Sequence, residues 1–208
     1  MKRGIFISFE GIDASGKTTQ AKKAVTYLKT KGFDVVFLRE PGGEPVSEQI
    51  RKILLKSKSA ITPITELMLY LGSRSQLVQK KIAPALRQKR IVVCDRFSDS
   101  TLTYQGYGRK LDTEWIKNLN KKATLGVKPD LTLLIDVPLR VYVKRAKLKK
   151  NKDRLEKENL AFYRRIRKGY LEIAKEDKKR VKVIDGNGTI QGTWVRVKEI
   201  IDTFLRIE

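Results

Sequence analysis

The sequence predicts a three-layer α/β fold, a five-stranded parallel sheet flanked by helices. Three observations carry that reading. Five short apolar runs rich in β-branched residues are spaced along the chain. Segments with helical spacing of apolar residues lie between them. The runs are continuous rather than alternating, as strands buried on both faces require. Strands that alternate with helices in this way are joined by right-handed crossovers.

The elements follow in order. Ile5–Phe9 is the first strand: in the opening MKRGIFISFEG the apolar stretch stops at Glu10 after five residues, too short for a leader. Ala21, Ala24, Val25 and Leu28 then repeat at i, i+3, i+4 and i+7, and Gly32 closes that helix. Val35–Leu38 is the second strand, and Val46, Ile50, Ile53 and Leu54 mark the next helix. Pro63 to Gln88 predicts a long helical segment with proline in its first turn and a kink at Pro84. Ile91–Cys94 is the third strand. Asp112 caps a helix carrying Trp115, Ile116 and Leu119. Leu131–Val137 is the fourth strand, Phe162, Ile166, Tyr170 and Ile173 form a helical stripe, Val181–Ile184 is the fifth strand, and Ile190 to Leu205 is a last helix. Residues 1–208 are expected to form one domain, without repeat or linker, and with a basic segment at about 144–156.

Composition narrows the chemistry. There are 46 Lys+Arg against 23 Asp+Glu and no His, a net charge of +23. Without histidine there is no His-based triad, no His-ligated zinc and no imidazole acid–base catalysis. The lone Cys94 gives neither an internal disulfide nor a metal cluster. No apolar run approaches the roughly 18 residues of a membrane span, so a soluble, cytoplasmic protein without a membrane partner is expected. The surplus of cations implies an anionic partner, whether nucleic acid, phosphorylated metabolite or acidic surface.

Gly11-Ile12-Asp13-Ala14-Ser15-Gly16-Lys17-Thr18 matches G-x-x-x-x-G-K-[ST], between a strand and a helix. Glycines let backbone N–H groups turn inward on phosphate oxygens, and the helix N-terminus adds its dipole. Lys17 is placed to reach the β- and γ-phosphates of ATP, and the Thr18 hydroxyl to ligate Mg²⁺. The three-layer fold is thus of the P-loop NTPase type. Asp95, at the carboxyl end of the third strand, is a second candidate for the metal. The guanine-reading Asn-Lys-x-Asp of GTPases is absent, and Asp185-Gly186-Asn187-Gly188 is taken as a turn.

Several loops resemble the thymidylate kinase family: Phe9-Glu10-Gly11-Ile12-Asp13, Arg39-Glu40-Pro41-Gly42-Gly43, Asp95-Arg96-Phe97-Ser98-Asp99-Ser100, Tyr104-Gln105-Gly106-Tyr107-Gly108-Arg109, and Lys128-Pro129-Asp130-Leu131-Thr132. They run in the family order along nearly the whole chain. The resemblance implies transfer of the ATP γ-phosphoryl group to dTMP with Mg²⁺, giving dTDP, by a homodimer. It implies Asp13 on the deoxyribose 3′-OH, Arg39 on the dTMP phosphate, and Tyr70 stacked on thymine. Arg74 would reach the thymine carbonyl and Arg96 would bridge donor and acceptor phosphates. Ser100 and Thr101 would lie near the base, Tyr104 would crowd the sugar 2′ position, and Gln105 would be its neighbour. Tyr70 and Arg74 are four residues apart, hence on one helix face.

The segment KRAKLKKNKDR from Lys144 to Arg154 holds seven basic residues. A solvated surface is the default for such a run; the family resemblance implies a mobile lid over ATP. One subclass carries a basic residue after the P-loop aspartate, but here that position is Ala14. The cation is therefore expected from the lid, with Lys149 assisted by Arg145 and Arg154. The acceptor phosphate needs no general base, in keeping with the absence of histidine. Two alternatives stand beside this. Another nucleoside monophosphate kinase, acting on AMP, UMP or CMP, is disfavoured by Tyr104 and Arg74. A nucleic-acid-binding P-loop protein is disfavoured by the 8% aromatic content and the absence of a binding module.

Overall fold

A computed structural model describes residues 3–56 and 60–207. Five parallel strands, β1 (Ile5–Glu10), β2 (Val35–Arg39), β3 (Ile91–Asp95), β4 (Leu131–Asp136) and β5 (Val181–Asp185), form one sheet in the order β2-β3-β1-β4-β5. The expected core runs are all strands. Four of the five continue to a charged residue, Glu10, Arg39, Asp95 or Asp185, and β4 ends at Asp136, one residue short of the predicted Val137. These carboxyl ends lie along one rim of the sheet, and β1, β2 and β3 reach it in register, with Phe9 beside Asp95 and Asp95 beside Arg39.

Both faces are covered, which is why the runs lack polar alternation. On one side Ile7, Phe9, Val93, Leu133 and Ile135 pack with Ala21, Ala24 and Leu28 of α1 (Lys17–Thr30) and with Val197 and Ile201 of α9 (Ile190–Leu205). On the other, Phe6, Val92 and Cys94 meet Leu77, Val78 and Ile82. Leu134 and Val181 meet Tyr163, Ile166 and Tyr170 of α8 (Leu160–Glu176). Four helices begin where short polar side chains accept a first-turn N–H: Thr62 from Thr65 at 3.4 Å, Asp112 from Trp115 at 2.7 Å, Asn159 from Phe162 at 2.9 Å, and Thr189 from Gly192 at 3.0 Å.

The helix between α1 and the long segment is α2 (Pro45–Lys56). The long segment is α3 (Pro63–Leu77) followed by wider π-type turns at Val78–Ile82 and by α4 (Ala83–Arg87). The helix widens in the turn just before Pro84, which lacks an N–H and crowds the preceding turn. Three helical pieces fall where periodicity gave none: α5 (Ser98–Thr101), the π-type turns Leu102–Gly108, and α7 (Leu139–Lys147). The capped helix of Trp115 is α6 (Thr113–Ala123). Among the described residues no helix is long and apolar enough to cross a membrane.

Candidate active site

The phosphate loop joins β1 to α1 at the carboxyl rim of the sheet. Gly11 is at φ +142°, and a Cβ there would lie 2.4 Å from the Ile135 carbonyl oxygen, so only glycine fits. Gly16 is at φ +94° and hands the chain directly to α1. Lys17, 7% exposed, turns its ammonium back over the loop to the Ile12 carbonyl at 3.4 Å. Burial, and then the neighbouring Arg96, lower its pKa.

The Thr18 hydroxyl donates to Asp95 Oδ2, while Asp95 Oδ1 is buried without a hydrogen-bond partner. An orphaned carboxylate oxygen beside a hydroxyl at the first turn of the helix suits a hard cation such as Mg²⁺. The sequence-predicted metal pair is thus brought together.

Asp13 is the hub on the other side of the loop. Arg96 Nη2 donates to its Oδ1 at 2.6 Å; Tyr104 and Tyr163 donate to its Oδ2 at 3.0 and 2.9 Å. Burial opposes ionisation of Asp13, yet Arg96, Lys17 and the two phenols outweigh it and hold the carboxyl at about 2. Arg96 itself stands in the left-handed region at φ +74°, a strained conformation of the kind that clusters at functional sites. Its Nη1 reaches the Gly11 carbonyl at 3.0 Å and Ser100 at 3.1 Å. Behind it Glu10 accepts from the Phe97 N–H, Ser100 and Tyr170. Burial first, and Asp99 second, push the Glu10 carboxyl up to about 7.

One cavity of about 440 Å³ runs from Asp13, Ala14, Lys17 and Thr18 to Arg39, Tyr70, Arg74, Arg96, Thr101, Tyr104 and Gln105. Ser100 and Asp95 line it too. Arg39 faces it while paired to both Glu48 oxygens at 2.9 and 3.0 Å. Tyr70 is half-buried on its wall, and burial raises its phenol pKa. Arg74, 1% exposed, is braced on every side: by Glu40 at 2.8 Å, Thr101 at 2.7 Å, Asn120 at 2.8 Å and the Phe97 carbonyl at 3.0 Å.

The lid cations part company. Arg145 donates to the carbonyls of Ala14 (3.3 Å), Ser15 (3.1 Å) and Gly186 (3.0 Å), clamping the phosphate loop to the turn after β5. That turn is the predicted one, with the Asn187 N–H on Asp185 Oδ1 at 2.8 Å. Lys149 lines the cavity, paired to Glu156 at 2.6 Å. Arg154 is not brought to the phosphate loop: its Nε donates to the Leu54 carbonyl at 2.9 Å and its Nη2 lies 2.5 Å from Glu66.

Further residues serve the site to which the sequence reading gave no role, among them Glu10, Glu66, Tyr163 and Arg51. Arg51 lines the cavity beside Arg39 and donates to the Pro41 carbonyl at 2.7 Å. A basic residue on the helical face that follows the Arg-Glu-Pro-Gly-Gly loop was the available signal.

Comparison with known proteins gives the family. A family model described as thymidylate kinase matches residues 9–193. The chain is similar to a thymidylate kinase of Kosmotoga olearia, 49% identical over 90% of each chain. It is 46% identical to a thymidylate kinase of Geobacter sulfurreducens over 95% of this chain and 96% of that protein. The crystal structure of thymidylate kinase from Ehrlichia chaffeensis superposes with a TM-score of 0.80 at 36% identity, covering 96% of this chain and 98% of the other. The residues matched by the family model take in the phosphate loop, the cavity and the lid alike, and the chain belongs to the thymidylate kinase family.

Proposed function

We propose that this chain transfers the γ-phosphoryl group of ATP to the phosphate of dTMP, releasing dTDP and ADP. The observation that supports it best is the continuity of the cavity: it opens on the phosphate loop at one end and on an aromatic, arginine-lined recess at the other. Such a space suits two nucleotides whose phosphates meet near Arg96.

The reaction needs alignment and charge neutralisation rather than proton abstraction. The phosphate-loop amides and Lys17 hold the donor phosphates. Arg96, fixed between Gly11 and Asp13, faces both ends of the cavity and offsets the repulsion between two anions. Arg39 and Arg51 flank the Pro41 turn and hold the acceptor phosphate. Tyr70 supplies a flat wall for the base, Asp13 and Tyr104 border the sugar, and Ser100, Thr101 and Gln105 close the recess. Thr18 and Asp95 would hold Mg²⁺, which when bound shields the donor phosphates. Lys149 lies on the cavity wall, where a cation stabilises charge on the group in transit.

Residues 1–208 act as one kinase domain with 144–156 as its lid. A cytoplasmic homodimer fits the exposed apolar residues Val46, Ile53, Ile64 and Met68 on the packed pair α2 and α3, a face suited to a second copy. The test is a coupled ADP-release assay with dTMP, dUMP, UMP, CMP and AMP in parallel. dTMP is expected to be preferred over every ribonucleotide. Its margin over dUMP should be modest, since one methyl is worth about 1–3 kcal/mol. Preference for a ribonucleotide would overturn the acceptor assignment.

A further inference from the structure

Glu66 lies on α3 with no solvent exposure, one helical turn before Tyr70. Gln105 Nε2 donates to its Oε1 at 2.7 Å, Arg109 Nε to the same oxygen at 3.2 Å, and Arg109 Nη2 to Oε2 at 3.1 Å. Arg154, from the lid, brings Nη2 within 2.5 Å of Oε2. One buried carboxylate therefore serves two guanidinium groups. Arg109 has a second carboxylate, Glu158, at 2.6 Å. When Arg154 withdraws, Glu66 keeps Arg109 and Gln105, so no buried charge is stranded and only neutral carbonyl partners on α2 are given up with it. A contact with that property is a latch rather than a rivet.

The next residue is tied in the same way. The Leu155 carbonyl accepts from the Tyr163 hydroxyl at 3.2 Å, yet the same hydroxyl faces Asp13 Oδ2 at 2.9 Å. A phenol has one proton, so the lid carbonyl and Asp13 compete for it. Two ties of the lid at 154–155 thus end on groups whose other partners, Gln105 and Asp13, line the cavity; Arg154 is held besides by α2, through Nε on the Leu54 carbonyl at 2.9 Å and its N–H on the Leu55 carbonyl at 3.4 Å. Lys147, the last residue of α7, and Lys149, Lys150 and Lys152, between it and these ties, are exposed.

We propose that Glu66 is a positioning residue that latches the lid to the acceptor end of the cavity. A nucleotide lodged beside Tyr70 and Gln105 fixes Gln105, Gln105 fixes the Glu66 carboxylate, and the carboxylate holds Arg154 with segment 144–156 closed. Arg154 then acts through Glu66 and not on the transferred phosphoryl group. This rests on the acceptor reading above and adds the route by which acceptor occupancy reaches the lid.

The test is limited trypsin digestion of the intact chain, with and without dTMP, paired with calorimetric titration of dTMP. In the unsubstituted protein, dTMP alone should slow cleavage at the lid lysines about tenfold, within the usual range for coupled sites. In Arg154→Met and Glu66→Gln, dTMP should still give binding heat while the protection is lost. Should Glu66→Gln fail to fold, Arg154→Met decides alone. Undiminished protection in Arg154→Met, or no protection in the unsubstituted protein, overturns the latch. So does an Arg154→Met enzyme whose KM rises for ATP and not for dTMP. Absence of dTMP binding heat in the unsubstituted protein removes the acceptor reading first, and the latch with it.

Discussion

Arg74→Met takes away the guanidinium that joins α3 to the Glu40 turn, the Phe97 carbonyl, Thr101 and Asn120. The methionine stem fills similar volume, so the loss is electrostatic and not a cavity. Glu40 is left 3% exposed in its side chain with no counter-charge, and its Oε1 already lacks a hydrogen-bond partner. Removing one member of a buried pair costs about 3–5 kcal/mol. At about 2–4 °C per kcal/mol for a domain of this size, the melting temperature should fall by about 6–20 °C. Scanning calorimetry reads this directly. Adding Glu40→Leu should recover part of the loss, because replacing both partners with apolar side chains is often neutral. A melting temperature within about 2 °C of the parent for Arg74→Met alone would refute the bracing role. Arg74 would then be a base contact first.

Lys17→Ala or Arg96→Ala should lower kcat at least about a hundredfold in the coupled assay, as loss of a preorganised charge-stabilising donor does; near-normal turnover of either would defeat the assignment. Asp95→Asn should raise the Mg²⁺ concentration needed for half-maximal rate, read from a metal titration at saturating nucleotide, because it replaces the orphaned carboxylate oxygen with a weaker ligand. Glu10 holds its proton to about 7 when folded and releases it near 4.5 when unfolded. Its contribution is therefore complete below about pH 4.5 and lost as pH rises to about 7, a decline of about 3 kcal/mol. Thermal melts from pH 4.5 to 7.5 should show that decline, and Glu10→Gln should flatten it. Asp13 has the opposite sign: its contribution is present above about 3.8 and lost as pH falls toward 2.

The sheet was legible because strands covered on both faces are mostly apolar, as in Val92, Val93 and Cys94, and admit polar residues such as Ser8 and Thr132 only where they bond to each other. The last residue of four strands escaped because it is charged; two of the four, Arg39 and Asp95, are charged where the cavity lies. The contiguous phosphate loop could be seen in eight consecutive residues, and the structure places Lys17, Thr18 and Asp95 together. What periodicity missed was the stretch from Ser98 to Gly108: its polar side chains are buried against charged groups of other elements, Ser100 on Glu10, Thr101 on Arg74 and Gln105 on Glu66, so no apolar stripe betrays the helical turns. Glu66 and Tyr163 were invisible for a different reason. Each looks like an ordinary helix residue, and its partner is 88 or 150 positions away in the chain. Arg154 shows the reverse failure, since a basic run does not say which of its members turn inward.

The alignment of Phe9, Asp95 and Arg39 across three adjacent strands constrains how this protein can be altered. Side chains alternate sides along each strand, so sliding β2 or β3 by one position would swing Arg39 or Asp95 to the opposite layer and put Leu38 or Cys94 at the rim. Spare length is therefore tolerable only where it leaves that row untouched, in the turns at the amino ends of the strands, such as Gly32–Asp34 or Lys89–Arg90. A graft placed there would lengthen the far side of the molecule while the row of charges stayed in step.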